Sequence, residues 1–513
     1  MLKNILAGKK SLQKPNIVLI CVDQWRGDCL EVSGHPVLKT PHLNQVALGG
    51  VNFSSAFSAC PSCIAARASL LTGMSPVKCG RVGYKDGVPW NYRDTLPSIL
   101  AENGYHCQGI GKMHTCPERS KLGFHDVILH DGYIHFARRH AERLEDIDDY
   151  IAFLRMETGR EDADYFEHGL GCNSFLARPW DKAEYLHPTN YVTAHSVEYL
   201  RGRRGNQQPF FLFCSYVRPH PPYDPPQWAF DMYMQSEMPP VPVGIWSEFL
   251  GRYANGKSDS PVASLGVQEL RRAISGYYGH MTHIDHQINR ILEAIVECGI
   301  EQETVFVCVS DHGELMGDHH LFRKSLPYEG SARIPLLLAG RGIPKNIKIS
   351  AVVSLQDIMP TILDCAGIGV PVHVDGRSLM TLLCGESGSV RDLLYGEHTY
   401  GGQSVHFVTD GEWKYIWWSG DGREQLFNRK DDPHELRERS KDEPERLLSM
   451  RKALIGELSG REEGYSDGTR LITGCQPRDV LPWAETGHLP DRTRRCSKRG
   501  VAQTFLSVTK NKI

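Results

Sequence analysis

"PNIVLICVDQWRGD", residues 15–28, decides the fold. The apolar run from Ile17 to Val22 is unbroken and ends on Asp23. A strand with one wet face alternates apolar and polar residues; an unbroken run suits a parallel strand covered on both faces. "PFFLFCSYVRPH" (209–220) and "TVFVCVSDHG" (304–313) repeat the pattern, apolar first and polar at the carboxyl end. Helical stretches lie between. "RDTLPSILAENGY" (93–105) has a Pro near its start and a Gly near its end, and "LRRAISGYYGHMTHIDHQINRILEAIVECG" (270–299) carries apolar residues at helical spacing before a stopping glycine. This alternation predicts an α/β fold with a large, mostly parallel or mixed sheet sandwiched by helices. Ligands of such sheets gather outside the carboxyl ends of the strands, so Asp23, His220, Asp311 and His312 are expected to share one site.

The main domain is expected over 14–388. Within it, residues 120–205 are rich in His, Arg, Asp and Tyr, and read as long insertions over the sheet. From 389 the texture changes. "LLYGEHTYGGQSVHFVTDGEWKYIWWSGDGREQLFN" (393–428) is aromatic and β-branched with turn signals, and "ERLLSMRKALIGELSG" (445–460) is one helix. A smaller C-terminal α+β domain over 389–474 follows. Residues 475–513 are polar and proline-containing, and a poorly ordered tail is expected there.

With 513 residues, 41% hydrophobic and 23% charged, the chain has a globular balance. A net charge of -3 gives no support for a nucleic-acid partner. Fifteen cysteines, an odd and scattered set, argue against a disulfide framework and for a reducing compartment. "MLKNILAGKKSLQKP" (1–15) lacks the sustained apolar stretch of a signal peptide, and "NIVLICV" (16–22) is too short to span a bilayer. A cytoplasmic protein without a membrane partner is expected.

Asp23–Gln24 and Asp311–His312 supply two carboxylates, an amide oxygen and an imidazole, a set that suits Ca²⁺, Mg²⁺ or Mn²⁺. Each pair alone also reads as a helix cap. "CIAARASLLTG" (63–73) places a thiol four residues before Arg67, at the start of a helix. Most free cysteines are small buried hydrophobes; the alternative is a nucleophile or its precursor.

"ACPSCIAARASLLTG" (59–73) resembles the signature of the sulfatase family. Further landmarks follow in the family's order: "VDQWRGD" (22–28), "GIGKMH" (109–114), "VRPHPPY" (217–223), "SDHGELMGDHHLFRKSLPYEGSARIPLLL" (310–338) and "LQDIMPTILDCAGI" (355–368). The resemblance runs over roughly 14–460 and implies an alkaline-phosphatase-like fold. It implies that a maturation enzyme oxidises Cys63 to formylglycine, whose hydrated form is the nucleophile. It assigns Asp23, Gln24, Asp311 and His312, with the residue-63 oxygen, to one divalent metal, Ca²⁺ first and Mn²⁺ or Mg²⁺ as alternatives. Arg67 is expected to stabilise the nucleophile and Lys112 and Lys324 to hold sulfate oxygens. His114 is expected to be the base of the elimination step and His220 the general acid toward the leaving oxygen.

Three departures matter. Ala65 stands where the common signature has Pro, a form often matured by a radical, oxygen-independent enzyme. Gln24 and His312 replace the Asp and Asn of many sulfatases and resemble the shell of phosphonate monoester hydrolases, which also cleave phosphodiesters. "GKMH" and "EGSAR" (329–333) resemble choline sulfatases. Hydrolysis of an aryl, carbohydrate or other small-molecule sulfate therefore leads, phosphonate or phosphodiester hydrolysis is the alternative, and a binding protein without turnover comes third. Tyr133, His135, Arg138, Arg139, His140 and His398 are candidates for the substrate pocket; Cys60, His319 and His320 are read as structural.

Overall fold

The computed structural model describes residues 14–486. One sheet contains β1 (Asn16–Asp23), β2 (Gly50–Phe53), β3 (His106–Gly111), β4 (Asp126–Leu129), β5 (Phe210–Pro219), β6 (Thr304–Ser310), β7 (Leu336–Gly340) and β8 (Ile347–Ile349). Its order is β8-β2-β7-β6-β1-β5-β3-β4. The run β4-β3-β5-β1-β6 is parallel throughout. Only β7 opposes its neighbours, while β8 is parallel to β2. This is the large, mostly parallel sheet that the apolar runs predict.

The unbroken apolar character of β1 has a direct cause. Val18, Ile20 and Val22 join one core with Leu212, Cys214 and Phe306, beneath the helices Pro188–Gly202 and Val267–Glu297. Ile17, Leu19 and Cys21 join the other with Phe211, Phe213 and Val305, beneath Leu96–Glu102 and Ile358–Cys365. Each such side chain contributes about 1.5–3 kcal/mol by leaving water. The β1–β5 register slips between Val22 and Asp23, where the chain leaves the ladder; such irregularities commonly re-aim side chains beside active sites.

A separate antiparallel sheet follows: β9 (Leu394–Tyr400), β10 (Gln403–Thr409), β11 (Trp413–Trp418) and β12 (Glu424–Asn428), in that order, with the helix Pro444–Leu458. Val405, Phe407, Ile416 and Trp418 share an apolar cluster with Leu315, Leu326 and Tyr328 of the main body. Under the same seam Lys414 Nζ lies 2.6 Å from Glu329 and 2.9 Å from Glu435, and Arg429 binds Glu329 through Nε and Nη2 at 2.6 and 3.0 Å.

The expected poorly ordered tail divides in two. Residues 475–486 are structured: the Val82 N–H donates to the Asp479 carbonyl at 3.0 Å, the Leu481 N–H to the Gly80 carbonyl at 2.8 Å, and Pro482–Thr486 is helical. These backbone bonds hold a polar stretch that has no apolar periodicity of its own. Residues 487–513 lie outside the described residues. Fourteen cysteines are described and all are free. Among the described residues no helix is long and apolar enough to cross a membrane.

Candidate active site

The strand ends bring the predicted residues together. Asp23 closes β1, Asp311 and His312 follow β6, and all three are fully buried. Cys63 is the first residue of the helix Cys63–Thr72, every residue of which is buried; Gly73 ends it at φ 65, a left-handed conformation that glycine adopts without strain. The Cys63 Sγ lies 3.2 Å from His312 Nε2 and 3.7 Å from Asp23 Oδ1.

Charge is unevenly settled here. Burial and the Asp23 charge push the Cys63 thiol up, but Lys112, Lys324 and His312 outweigh them and hold it well below the ordinary thiol value. Cys60, three residues away, is the opposite case: burial and Glu397 hold it well above. Burial pushes Asp23 up, yet Lys112, His220, His312 and Arg67 hold it well below the usual carboxylate range. Asp311 moves the other way, raised by burial and by Asp23. Two buried carboxylates, a thiol and an imidazole thus face one another in one dry place.

The donor set fits a cation. Ligand atoms from Asp23, Cys63, Asp311 and His312 lie within 4.8 Å of one another. The His312 Nδ1–H donates to the Gly313 carbonyl at 2.9 Å, which leaves the Nε2 lone pair facing the cluster. The Gln24 amide N–H donates to Glu314, so its oxygen is turned the other way, 2.6 Å from Lys324 Nζ. These residues suit a hard or borderline divalent ion.

Arg67, four residues after Cys63, is fully buried. Its Nε donates to Asp311 at 3.0 Å, and its Nη1 to the Lys112 carbonyl at 2.8 Å and Ser215 Oγ at 2.7 Å. It therefore orients a carboxylate, the end of β3 and the middle of β5; among the described residues only Nη2, 3.8 Å from Asp23, has no hydrogen-bond partner.

Lys112, His114, His220 and Lys324 face a cavity of about 440 Å³ that also exposes Ser62 and Cys63. Lys112 Nζ pairs with Asp23. Neither His114 nitrogen has a hydrogen-bond partner, and Asp86 Oδ1 stands 3.8 Å from its Nε2. The His220 Nδ1–H donates to the Pro221 carbonyl at 2.9 Å. Burial, then Lys324 and Lys112, hold this histidine well below its ordinary pKa, so its Nε2 is an acceptor until negative charge arrives beside it. Of the pocket candidates, Tyr133, His135 and His398 line the cavity. Arg138 instead stacks 4.5 Å over the Tyr133 ring and pairs with Asp164, while Arg139 and His140 are exposed and do not line it. A larger cavity of about 700 Å³ lies by Pro239–Val243 and Pro433–Leu436. Arg26 there is matched by Asp28 and Asp318, and His319 accepts from the Gly244 N–H at 3.0 Å.

Sequence reasoning missed three supports. Glu314 accepts from Gln24, Tyr223 Oη (3.2 Å) and the Met316 N–H (2.9 Å). Asp131 accepts from the Met113 and His114 N–H groups at 2.6 and 2.8 Å, holding His114 at φ 55. Ser215 receives Arg67. The "SDHGE" stretch contained a signal for Glu314; Asp131 depends on the backbone of Met113 and His114 and Ser215 on the distant Arg67 side chain, and neither had one.

The large sheet covered by helices is of the alkaline-phosphatase-like class, and its strand ends gather a possible metal-binding cluster beside the first residue of a buried helix. The sulfatase family model matches residues 15–368, and the model "N-sulphoglucosamine sulphohydrolase, C-terminal" matches 317–460. The chain belongs to the sulfatase family and is a sulfuric ester hydrolase. It is 47% identical over 472 residues to an arylsulfatase of Clostridium perfringens, covering 90% of this chain and 98% of that one. A choline-sulfatase of Rhizobium meliloti is 25% identical, with 82% of each covered. In fold it is similar to the phosphonate monoester hydrolase of Agrobacterium radiobacter, with TM-score 0.74, 24% identity, and 86% of this chain and 95% of that one covered.

Proposed function

We propose that the protein hydrolyses sulfate esters of small aryl or carbohydrate compounds, using residue 63 matured from cysteine to formylglycine. The observation that carries this is the Cys63 environment. It is a helix-start residue that faces Lys112 and Lys324 across one cavity and adjoins the cluster of Asp23, Asp311 and His312. Asp23, Gln24, Asp311 and His312 would hold the metal, Ca²⁺ first, which supplies a lowered pKa to a neighbouring hydroxyl.

The chain's own groups account for the rest. Lys112 and Lys324 take the sulfate oxygens and offset their charge. One hydroxyl of the hydrated residue 63 loses its proton to water and attacks sulfur, and the bond to the leaving oxygen breaks as His220, protonated once the anionic ester is bound, gives that oxygen a proton. His114 then removes the proton of the second hydroxyl. The carbon–oxygen bond to sulfate breaks, the aldehyde re-forms, and water hydrates it again. A separate maturation enzyme is required, and the unpaired cysteines fit a reducing compartment.

The phosphonate and phosphodiester reading stays as a second one because Gln24 and His312 complete the shell. The test is the mass of the residue-63 peptide in active protein. An aldehyde or its hydrate is expected; an unmodified thiol in fully active protein would contradict the mechanism.

A further inference from the structure

Behind the His220 loop lies a group of buried polar side chains that the reaction leaves unused. Asp224 follows His220 by four residues and is 0% exposed. Arg218 Nη2 binds its two carboxylate oxygens at 2.9 and 3.1 Å, and the His168 Nε2–H donates to it at 3.0 Å. The His168 Nδ1 accepts from the Leu170 N–H at 3.0 Å, which fixes the proton on Nε2, toward Asp224. The Asp224 N–H donates to His280 Nε2 at 2.9 Å. Arg218 also extends Nη1 to the His220 carbonyl, at 3.4 Å. Arg218 and Asp224 thus close a loop with His220 inside it.

Asp224 also groups with His187 and His280, with ligand atoms within 4.8 Å. This is no cation site. Arg218 already supplies the positive charge, and the lone pairs of His187 Nδ1 and His280 Nε2 accept from the Thr189 and Asp224 N–H groups.

We propose that Asp224 is a positioning residue for His220, held by Arg218 and by His168. The inference rests on His220 serving the leaving oxygen, as proposed above. Proton delivery needs a heavy-atom approach of about 2.6–3.2 Å. Among the described residues the His220 ring makes one hydrogen bond, to the carbonyl of the next residue, so the loop sets the place of the ring and Asp224 sets the place of the loop. A buried ion pair adds little stability over apolar side chains of the same volume; here it fixes one loop geometry. His168 comes from the 120–205 insertion that also lines the pocket, and so ties that wall to the proton donor.

The test is the dependence of kcat on leaving-group pKa, measured with a series of aryl sulfates on the mature protein and its variants. Help to the leaving oxygen matters most for poor leaving groups. His220→Ala should steepen the dependence. Asp224→Asn and His168→Leu should steepen it in the same sense, with KM little changed. Their expected losses are about 10²-fold for the poorest phenol and under about tenfold for a nitrophenol. His168→Gln, whose amide N–H can replace the ring donor, should return the slope toward that of the parent. If His220→Ala steepens the slope but Asp224→Asn and His168→Leu lower all rates equally, the inference is overturned. Should Asp224→Asn not fold, the His168 pair decides by the same criterion. A slope unchanged in His220→Ala would remove the role of His220 itself, and the inference with it.

Discussion

The nucleophile site and the seam under the C-terminal sheet both bury clusters of ionisable side chains, and they settle the charge differently. In the seam Glu329, Lys414, Arg429 and Glu435 form a closed set in which every member has an opposite charge within 3.0 Å. Glu435 is pushed up to about 7 by burial and by Glu329, with which it shares Lys414, but its oxygens are bonded. At the nucleophile site Asp311 is raised by burial and by Asp23, and Arg67 Nη2, both His114 nitrogens and Ser62 Oγ lack hydrogen-bond partners. Buried polar groups are normally satisfied. A cluster that serves folding closes its bonds within the chain; one that serves a ligand keeps some open.

That contrast breaks if the two clusters respond alike to substitution. Cys63→Ala should lower kcat by on the order of 10⁴–10⁶-fold, the size expected for losing a nucleophile, with a melting temperature close to that of the parent. Steady-state hydrolysis of an aryl sulfate and thermal denaturation check the two halves. Lys414→Met should do the reverse: buried Glu435 loses its cation while Glu329 keeps Arg429, stability falls by about 3–5 kcal/mol in denaturant titration, and kcat of the protein still folded stays near the parent value.

Metal removal sharpens the contrast. A cation bound only by the folded state at 100 times its Kd adds about 2.7 kcal/mol, so a chelator should lower the melting temperature as well as the rate, and Ca²⁺ or Mn²⁺ should restore both. A pH-dependent effect belongs to His319, in the second cavity. Burial, then Arg26, hold its pKa down at about 3 against 6.5. The neutral ring is favoured in the folded state, so its contribution is complete above pH 6.5 and is lost as pH falls below it. The loss is about 1.4 kcal/mol per pH unit. His319→Gln keeps an acceptor for the Gly244 N–H, and should flatten that part of the stability–pH curve in urea denaturation at pH values from neutral to about 4.

Much of this was legible in the sequence. The run Ile17–Val22 is apolar because β1 is covered on both faces, so the sheet and the strand-end site followed from it. Cys63, Lys112, His114, His220 and Lys324 stand together because short motifs fix them at strand ends and a helix start. What stayed hidden depends on distant partners. Asp131 acts through the backbone of Met113 and His114, and Arg67 is held by Asp311 and Ser215. The helix Pro188–Gly202 is polar on its outer face, and its apolar stripe has meaning only against the sheet. The order of residues 475–486 comes from Gly80 and Val82, nearly four hundred positions away.

The most direct measurement is a paired comparison of hydrolysis rates. Protein matured with its modifying enzyme and supplied with Ca²⁺ or Mn²⁺ would be given an aryl sulfate, an aryl phosphonate and an aryl phosphodiester, with Cys63→Ala as the blank. The account predicts that sulfate turnover dominates and vanishes in the blank. Faster turnover of the phosphorus esters, or sulfate turnover that survives in Cys63→Ala, would contradict it.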